Sequence, residues 1–284
     1  MMEQSLLERI AVSKVDDYLF KSGNNAMASG HVFGGTALGC SIAAAQATVD
    51  ESRNIHSFHA YFLRPGKNNY PIFYEVDPVR DGRSFSTRRV VAKQNDEVIF
   101  ITSMSFQVFE KGISHQIDMA DVTPPEDLMN MEQLQQLTPD DKMWKNRNDA
   151  VFLPFDRRHI FTEDNPFAGQ WIRFKQGPVK DANTNTQLLG YISDYALLMA
   201  AFAPHGFFKN RHLLQNVASI DHAMWFHEPN VKIDNWLFYQ TKSPWSGNAR
   251  GLAQGSFYTR EGTLVASVMQ EGLIRLKPDA KIPE

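Results

Sequence analysis

"GRSFSTRRVVAKQNDEVIFITSMSF" (residues 82–106) decides the fold, because two β-rich segments flank the polar pair Asn95-Asp96. Such segments on both sides of a two-residue turn are typical of a β-hairpin. The arrangement returns in "ARGLAQGSFYTREGTLVASVMQEGLIR" (residues 249–275), with the turn at Glu261-Gly262. Aligning the turns offsets the hairpins by 166 residues. An internal repeat is therefore predicted, with chance likeness of two β-rich segments as the alternative.

The elements around both hairpins follow one order, a helix and then about four strands. The first copy has a helix in "HVFGGTALGCSIAAAQATV" (residues 31–49), whose small residues permit close backbone approach. The second copy has an apolar helix in "DYALLMAAFA" (residues 194–203). Short turns between consecutive strands favour antiparallel pairing, and strands do not alternate with helices. The predicted class is α+β, with two repeats of a central helix wrapped by a curved antiparallel sheet.

The composition changes between the copies, where Pro, Asp, Asn and Gln become frequent. This change predicts an N-terminal repeat over 1–113, a linker over 114–165 and a C-terminal repeat over 166–284. One short helix is expected in the linker, around 127–136.

The bulk composition excludes several classes of protein. A formal net charge of -3 gives no support for nucleic-acid binding. The sequence has no run of 18 apolar residues, so no membrane span is predicted, and the acidic, amphipathic N-terminus is unlike a signal peptide. Cys40, the one cysteine, cannot form an internal disulfide and is expected in the core. These features predict a cytoplasmic protein.

Familiar catalytic motifs are missing from the sequence. There is no G-x-S-x-G elbow and no phosphate-binding glycine loop. The histidine pairs at 56 and 59 and at 222 and 227 lie in predicted strands at odd spacing, which turns their side chains to opposite faces. No metal site is expected.

Three polar residues of the second copy stand out within apolar surroundings. Gln270 shares a strand face with Leu264, Ala266 and Val268, so it is expected to point inward, either as a satisfied core amide or as a functional group. Ser219 is a weaker candidate of the same kind. Asp194 precedes the predicted helix, where it is either an N-cap or a functional carboxylate.

The first copy differs at the matching positions. It has glycine near the helix start and Met104 where the turn alignment places Gln270. This difference is expected if only one copy carries chemistry, although drift after duplication would look the same.

Several ordered motifs together resemble the acyl-CoA thioesterase II family, from about residue 10 to 276. They are "HVFGGTALG", "HSFHAYFLRPG", "DGRSFSTRRVVAKQ", "ISDYALL", "ASIDHAMWFHEP" and the second hairpin. The resemblance implies a double hotdog fold and hydrolysis of medium- to long-chain fatty acyl-CoA, without metal or organic cofactor. It also implies a homo-oligomer, a dimer or tetramer of these double units.

The family's catalytic set falls on Asp194, Ser219 and Gln270. The resemblance implies that Asp194 acts as base toward water held by the other two, with free N–H groups at the helix start polarising the thioester carbonyl. Direct attack by Asp194 to give an anhydride stays open.

Cations and apolar residues provide candidate substrate contacts. Contacts to the coenzyme A phosphates are expected from Arg64, Arg83, Arg88 and Arg250, with Lys67, Arg80, Arg89 and Lys242 as further candidates. Solvated surface charge is the alternative for each. The acyl chain is expected along Met199, Phe202, Met224 and Trp225.

Two other functions remain as alternatives. A non-catalytic acyl-CoA-binding hotdog protein would bind the same ligand without releasing thiol. A hotdog hydratase would need an Asp and a His at D-x4-H spacing, but Met199 stands five positions after Asp194.

Overall fold

The structure is a computed structural model that describes residues 5–23, 31–68, 70–137, 154–160, 168–206 and 210–280. The described α-helices are α1 (Leu6–Ile10), α2 (Gly34–Gln46), α3 (Met131–Leu137) and α4 (Ala182–Ser193). The described strands are β1 (Val12–Asp16), β2 (Leu19–Ser22), β3 (Arg53–Phe62), β4 (Phe73–Asp81), β5 (Phe85–Gln94), β6 (Glu97–Val108), β7 (Phe155–Ile160), β8 (Gly169–Phe174), β9 (Leu214–Ser219), β10 (Asp221–Phe226), β11 (Leu237–Gly247), β12 (Arg250–Thr259) and β13 (Leu264–Leu276). Short 3-10 helices span Pro125–Asp127, Leu197–Ala201, Ala203–His205 and Arg211–Leu213.

The strands form one antiparallel sheet that runs through both halves of the chain. Its order is β1-β2-β4-β5-β6-β3-β10-β13-β12-β11-β8-β7, and β9 pairs with β13. The halves meet where β3 pairs with β10, with Met224 opposite Phe58. The predicted α+β class with an antiparallel sheet is confirmed, and the sheets of the two halves lie side by side.

The hairpin of residues 82–106 has the expected turn. Asn95 and Asp96 adopt left-handed φ values of 51° and 65°, the geometry of a two-residue hairpin turn. The second hairpin differs, because β12 ends at Thr259 and β13 begins at Leu264. Its longer loop has Gly262 at φ 87°, a value that favours glycine.

Helix α2 is surrounded by protein and packs against α4. Leu38, Cys40 and Ile42 of α2 are fully buried, and a Cβ on Gly35 would lie 2.1 Å from the carbonyl oxygen of Tyr191 in α4. The predicted small-residue helix therefore serves close helix–helix contact. Burial raises the pKa of the Cys40 thiol to about 12, which agrees with the expected core position.

The predicted helix of the second copy is wrong in its boundaries. The helix is α4, Ala182–Ser193, and Asp194 is its C-cap. Asp181 begins α4 by accepting the N–H of Thr184 at 2.7 Å. The apolar run after Asp194 passes through Ala196, whose φ of 59° interrupts the helix, and continues as the 3-10 helix Leu197–Ala201.

The predicted linker is partly built into the fold. Helix α3 lies where its short helix is expected, and β7 (Phe155–Ile160) is a sheet strand paired with β8. Residues 138–153 and 161–165 of that segment lie outside the described residues. The division at 113 and 166 stays a prediction. No helix within the described ranges is long and apolar enough to cross a membrane.

Candidate active site

Asp194 at the end of α4 is the centre of a polar cluster. Its Oδ1 accepts the N–H of Gln270 Nε2 at 3.0 Å and the O–H of Ser219 Oγ at 3.3 Å. The backbone N–H of Gly35 also donates to this carboxylate. The three residues selected from the sequence therefore lie within hydrogen-bonding distance of one another.

The sheet brings Ser219 and Gln270 together. Strands β9 and β10 lie end to end along β13, and Ser219, the last residue of β9, is paired with Gly272 of β13. Gln270 is 1% exposed, which confirms that it points inward, and its Nε2 also donates to Ser219 Oγ. Asp221 is separate from the cluster, because its Oδ1 accepts the backbone N–H of Glu271 at 2.7 Å.

Burial determines the electrostatics of the carboxylate. Removal from water raises the pKa of Asp194 above its ordinary value, because burial disfavours the ionised form. Hydrogen bonds from Gln270, Ser219 and Gly35 oppose this rise by stabilising the carboxylate. A carboxylate with a raised pKa is the better proton acceptor near neutral pH.

The helix that faces Asp194 belongs to the other half of the chain. The N-cap of α2 is Phe33, whose side chain makes no capping hydrogen bond. Asp194 supplies a cap from outside by accepting the N–H of Gly35 in the first turn. The prediction that Asp194 begins its own helix is wrong, because Asp194 follows the last residue of α4. The helix N-terminus beside its carboxylate, with the positive end of the helix dipole, is that of α2.

Gly34, the first residue of α2, leaves room for the carboxylate. A Cβ at this position would lie 2.5 Å from Asp194 Oδ2 and 2.9 Å from the ring of Phe62. The N-terminal half thus contributes a helix start and an aromatic wall, and the C-terminal half contributes the polar side chains. The site needs both halves.

Comparison with known proteins agrees with this geometry. The family profile described as acyl-CoA thioesterase matches residues 157–273, and that described as acyl-CoA thioesterase N-terminal domain matches residues 23–107. Acyl-CoA thioesterase 2 of Haemophilus influenzae is 35% identical, with 95% of this chain and 97% of that protein covered. The chain belongs to the acyl-CoA thioesterase family.

Other relatives agree with this membership. Acyl-coenzyme A thioesterase 8 of Mus musculus is 36% identical, with 88% of this chain and 82% of that protein covered. A crystal structure of an acyl-CoA thioesterase II from Mycobacterium marinum superposes with a TM-score of 0.81 at 35% identity, covering 97% of this chain and 100% of that one. A protein with a hot dog fold from Alicyclobacillus acidocaldarius has a TM-score of 0.74 at 20% identity, covering 95% and 97%. The predicted double hotdog fold is confirmed.

Arg88 is not available as a phosphate contact in this member of the thioesterase family. Its side chain is 3% exposed and pairs with Asp81 at 2.9 Å. It also donates to Thr48 Oγ1 at 2.9 Å and to the Thr48 carbonyl at 3.0 Å. The expectation is wrong because Arg88 ties strand β5 to the end of α2.

The other predicted arginines are accessible. Arg83 is exposed in the turn before β5. Arg64 is half-exposed and donates to the carbonyl of Val98 at 2.7 Å. Arg250 is also half-exposed, and its Nε donates to Glu271 Oε1 at 2.9 Å, next to Gln270 in sequence. Glu271 follows Gln270 on β13, so the Arg250–Glu271 pair lies on the sheet face opposite the Gln270 side chain.

The predicted apolar walls divide between the two faces of the sheet. Met224 is fully buried in the core, whereas Trp225 is 36% exposed on the opposite face and packs edge-on against His59. The expectation for Trp225 is therefore wrong, since adjacent strand residues point to opposite faces. Met199 and Phe202 belong to a small apolar cluster that is separate from the main core; its other members are Met131, Leu214 and Ile274.

Sequence reasoning missed His222, a buried neighbour of the cluster. Its Nδ1 lies 3.1 Å from Gln270 Oε1, and its Nε2 lies 2.9 Å from Ser193 Oγ. The signal was present, because His222 shares a strand face with Met224 and Phe226, as Gln270 does with its apolar neighbours. Among the described residues, no group of three or more His, Cys, Asp or Glu is arranged to hold a metal ion.

Proposed function

We propose that Asp194, Ser219 and Gln270 activate water to hydrolyse the thioester of fatty acyl-CoA, the reaction class of this family. The observation that carries the proposal is the convergence of a carboxylate, a hydroxyl and an amide on one point beside the start of α2. An unpaired polar group in such surroundings costs about 1–3 kcal/mol. Mutual hydrogen bonds lower this cost for the three side chains, and Oδ2 of Asp194 is left without a bond to Gln270 or Ser219.

In the proposed reaction, the side chains divide the work. Oδ1 of Asp194 is held by Gln270 and Ser219, while Oδ2 lies against Gly34 at the start of α2. Water bound there transfers a proton to Asp194 as its oxygen attacks the thioester carbon. The carbonyl oxygen becomes an oxyanion near the first turn of α2, whose N–H groups and dipole stabilise negative charge.

Collapse of the tetrahedral intermediate completes the reaction. The carbon–sulfur bond breaks, the acyl group leaves as a carboxylic acid, and the proton on Asp194 returns to the coenzyme A thiolate. Direct attack by Asp194 is the alternative. Label in the Asp194 carboxylate after a single turnover in ¹⁸O-water would establish the anhydride, because only that route exposes the Asp194 acyl carbon to attack by water.

Substrate contacts follow from what is accessible around the cluster. Arg64, Arg83 and Arg250 are the proposed contacts for the coenzyme A phosphates, because these guanidinium groups reach solvent. The acyl chain runs along Met199 and Phe202, which follow Asp194 and pack beside β9 and β13. Flexible methionine side chains accommodate chains of different length. Preference for medium to long chains stays a prediction.

Substitution of the carboxylate tests the proposal. Asp194→Asn is expected to lower kcat by about 10²–10⁴-fold, the contribution of a general base, while binding of a non-hydrolysable acyl-CoA is retained. Asp221→Asn is the matched control, because Asp221 accepts the backbone N–H of Glu271 and lies outside the cluster, so this variant is expected to stay within about threefold of wild type.

Thiol release with a chromogenic reagent measures both variants across acyl-CoA lengths. Gln270→Ala is expected to lower kcat more than it raises KM. Near-normal turnover in Asp194→Asn would remove the base role. Acyl-CoA binding without thiol release by the wild-type chain would instead favour a non-catalytic binder.

Assembly and location are separate proposals. We propose a homo-oligomer, a dimer or tetramer of double hotdog units, in the cytoplasm. Exposed Tyr61 and Trp225 on the outer sheet face support an apolar contact between copies. Light scattering after size exclusion measures the assembly, and a monomer at micromolar concentration contradicts it.

A further inference from the structure

His222 is a buried polar residue that the proposed reaction does not use. It lies on β10 with no exposed surface, and its ring stacks on Phe58 with centroids 5.7 Å apart. One ring nitrogen contacts Gln270 on β13, and the other contacts Ser193, the last residue of α4. The imidazole therefore connects the strand that carries the amide with the helix that carries the carboxylate.

The hydrogen-bond partners define which nitrogen of His222 holds the proton. Burial lowers the pKa of His222 to about 4, so the ring is neutral at neutral pH and has one N–H. The amide oxygen of Gln270 can only accept, so the proton is on Nδ1. Nε2 is then an acceptor 2.9 Å from Ser193 Oγ, and the single hydroxyl proton of Ser193 is shared between Nε2 and the Gly190 carbonyl, which lies 2.8 Å from the same oxygen.

This bond selects one of two orientations of the Gln270 amide. In the observed orientation both N–H groups face Asp194 and Ser219. Turned by 180°, the amide would point its oxygen at the carboxylate and its N–H groups at the Nδ1–H of His222. The first contact would then pair two acceptors and the second would pair two donors, and neither could form a hydrogen bond. The donor on His222 thus stabilises the orientation that serves Asp194.

We infer that His222 is a positioning residue: its Nδ1–H holds the Gln270 amide with the N–H groups toward Asp194, and Ser193 holds the imidazole tautomer. The inference rests on the proposed function. His222 touches neither water nor thioester, so its effect on turnover passes through Gln270.

Two substitutions of equal size separate positioning from packing. His222→Asn keeps an N–H close to the place of Nδ1, whereas His222→Leu fills a similar volume without a donor. Both lose the stacked ring, and both replacement side chains have four heavy atoms with the same branching. We expect His222→Leu to lower kcat about 10–100-fold with KM within about threefold, and His222→Asn to stay within about fivefold of wild type.

The same pair in a Gln270→Ala background tests the route of the effect. If His222 acts through Gln270, the Leu and Asn substitutions lower kcat of Gln270→Ala by less than about twofold. Equal losses in Leu and Asn, or a loss as large in the Gln270→Ala background as in the wild type, would overturn the inference.

The wild-type protein gives a readout that needs no variant to fold. Long-range ¹H–¹⁵N correlation of labelled histidine is expected to show His222 neutral and protonated on Nδ1 from pH 8 to pH 6. A proton on Nε2 would overturn the inference by itself. Failure of the proposed function is distinguishable, because it would appear as full activity in Asp194→Asn and Gln270→Ala.

Discussion

Gly34→Ala adds one methyl group at the meeting point of the two halves. The new Cβ would lie 2.5 Å from Asp194 Oδ2 and 2.9 Å from the Phe62 ring. Phe62 is a partly buried ring that can turn, but Asp194 is held by Gln270, Ser219 and the backbone of Gly35. The carboxylate is therefore the group whose displacement matters.

The size of the effect follows from the distance. Asp194 Oδ2 must retreat by about 0.9 Å to reach ordinary contact, which is at least 3.4 Å. A misplacement of about 1 Å in a reacting group costs on the order of 10²-fold in rate. Overpacking typically costs about 1–3 kcal/mol of stability. Replacing a helical glycine by alanine returns about 0.5–1 kcal/mol. We expect a large fall in kcat with a melting temperature only a few degrees lower.

Gly39→Ala is the matched control in the same helix. Its Cβ would lie 3.2 Å from the Ile10 side chain and 3.3 Å from the Gln187 carbonyl, so it tests the same substitution away from Asp194. Thiol release gives kcat and KM for both variants, and circular dichroism gives the melting temperatures. If Gly34→Ala turns over acyl-CoA as fast as Gly39→Ala, the carboxylate is not confined in the manner described.

Three further results are expected. Burial raises the pKa of Asp194, so the ionised carboxylate destabilises the folded state above that raised pKa, and this penalty is absent below the ordinary pKa of an aspartate. Asp194→Asn should therefore have a higher melting temperature than wild type at pH 7, and the difference in melting temperature should disappear as the pH falls to 3. A gap that widens toward acid would contradict the assigned burial. Arg88→Met should lose about 1–3 kcal/mol of unfolding free energy in urea melts with KM unchanged, since the partners of Arg88 are Thr48 and Asp81. A raised KM without a loss of stability would show instead that Arg88 contacts the substrate. Arg250→Ala should raise KM for acyl-CoA but not for an acyl-N-acetylcysteamine thioester, which has no phosphates, and equal effects on both would remove the phosphate contact.

The polar cluster was predictable where a local rule applied. Gln270 breaks an apolar face of period two, so its inward direction follows from the strand pattern, and the structure has it 1% exposed. The same rule separates Met224 from Trp225 and selects His222. This rule places Met224 and His222 on the inner face and Trp225 on the outer face, so the expectation that Met224 and Trp225 line the acyl chain together did not follow from it, whereas a role for His222 did.

The helix boundary was not available from local pattern. The segment that begins α4, "DANTNTQ" (residues 181–187), is polar, whereas the segment after Asp194 is apolar, so hydrophobicity favours the wrong one. Only tertiary contact explains the choice. Cβ atoms on Gly251 and Gly272 would meet Ala201 at 2.6 Å and Leu198 at 2.3 Å, so these strand glycines admit the 3-10 helix against the sheet. The structural role of Arg88 was unpredictable for the same reason, because Thr48 and Asp81 approach it only in the folded chain.

Fusion of the two halves in one polypeptide has a consequence for how the molecule can vary. In an assembly of identical subunits, a mutation changes both clefts together. Here position 104 holds a methionine, 1% exposed within the core, while the aligned position 270 holds an amide. The sequence of each half can therefore change independently, provided that the start of α2 in the N-terminal half remains in contact with the carboxylate of the C-terminal half.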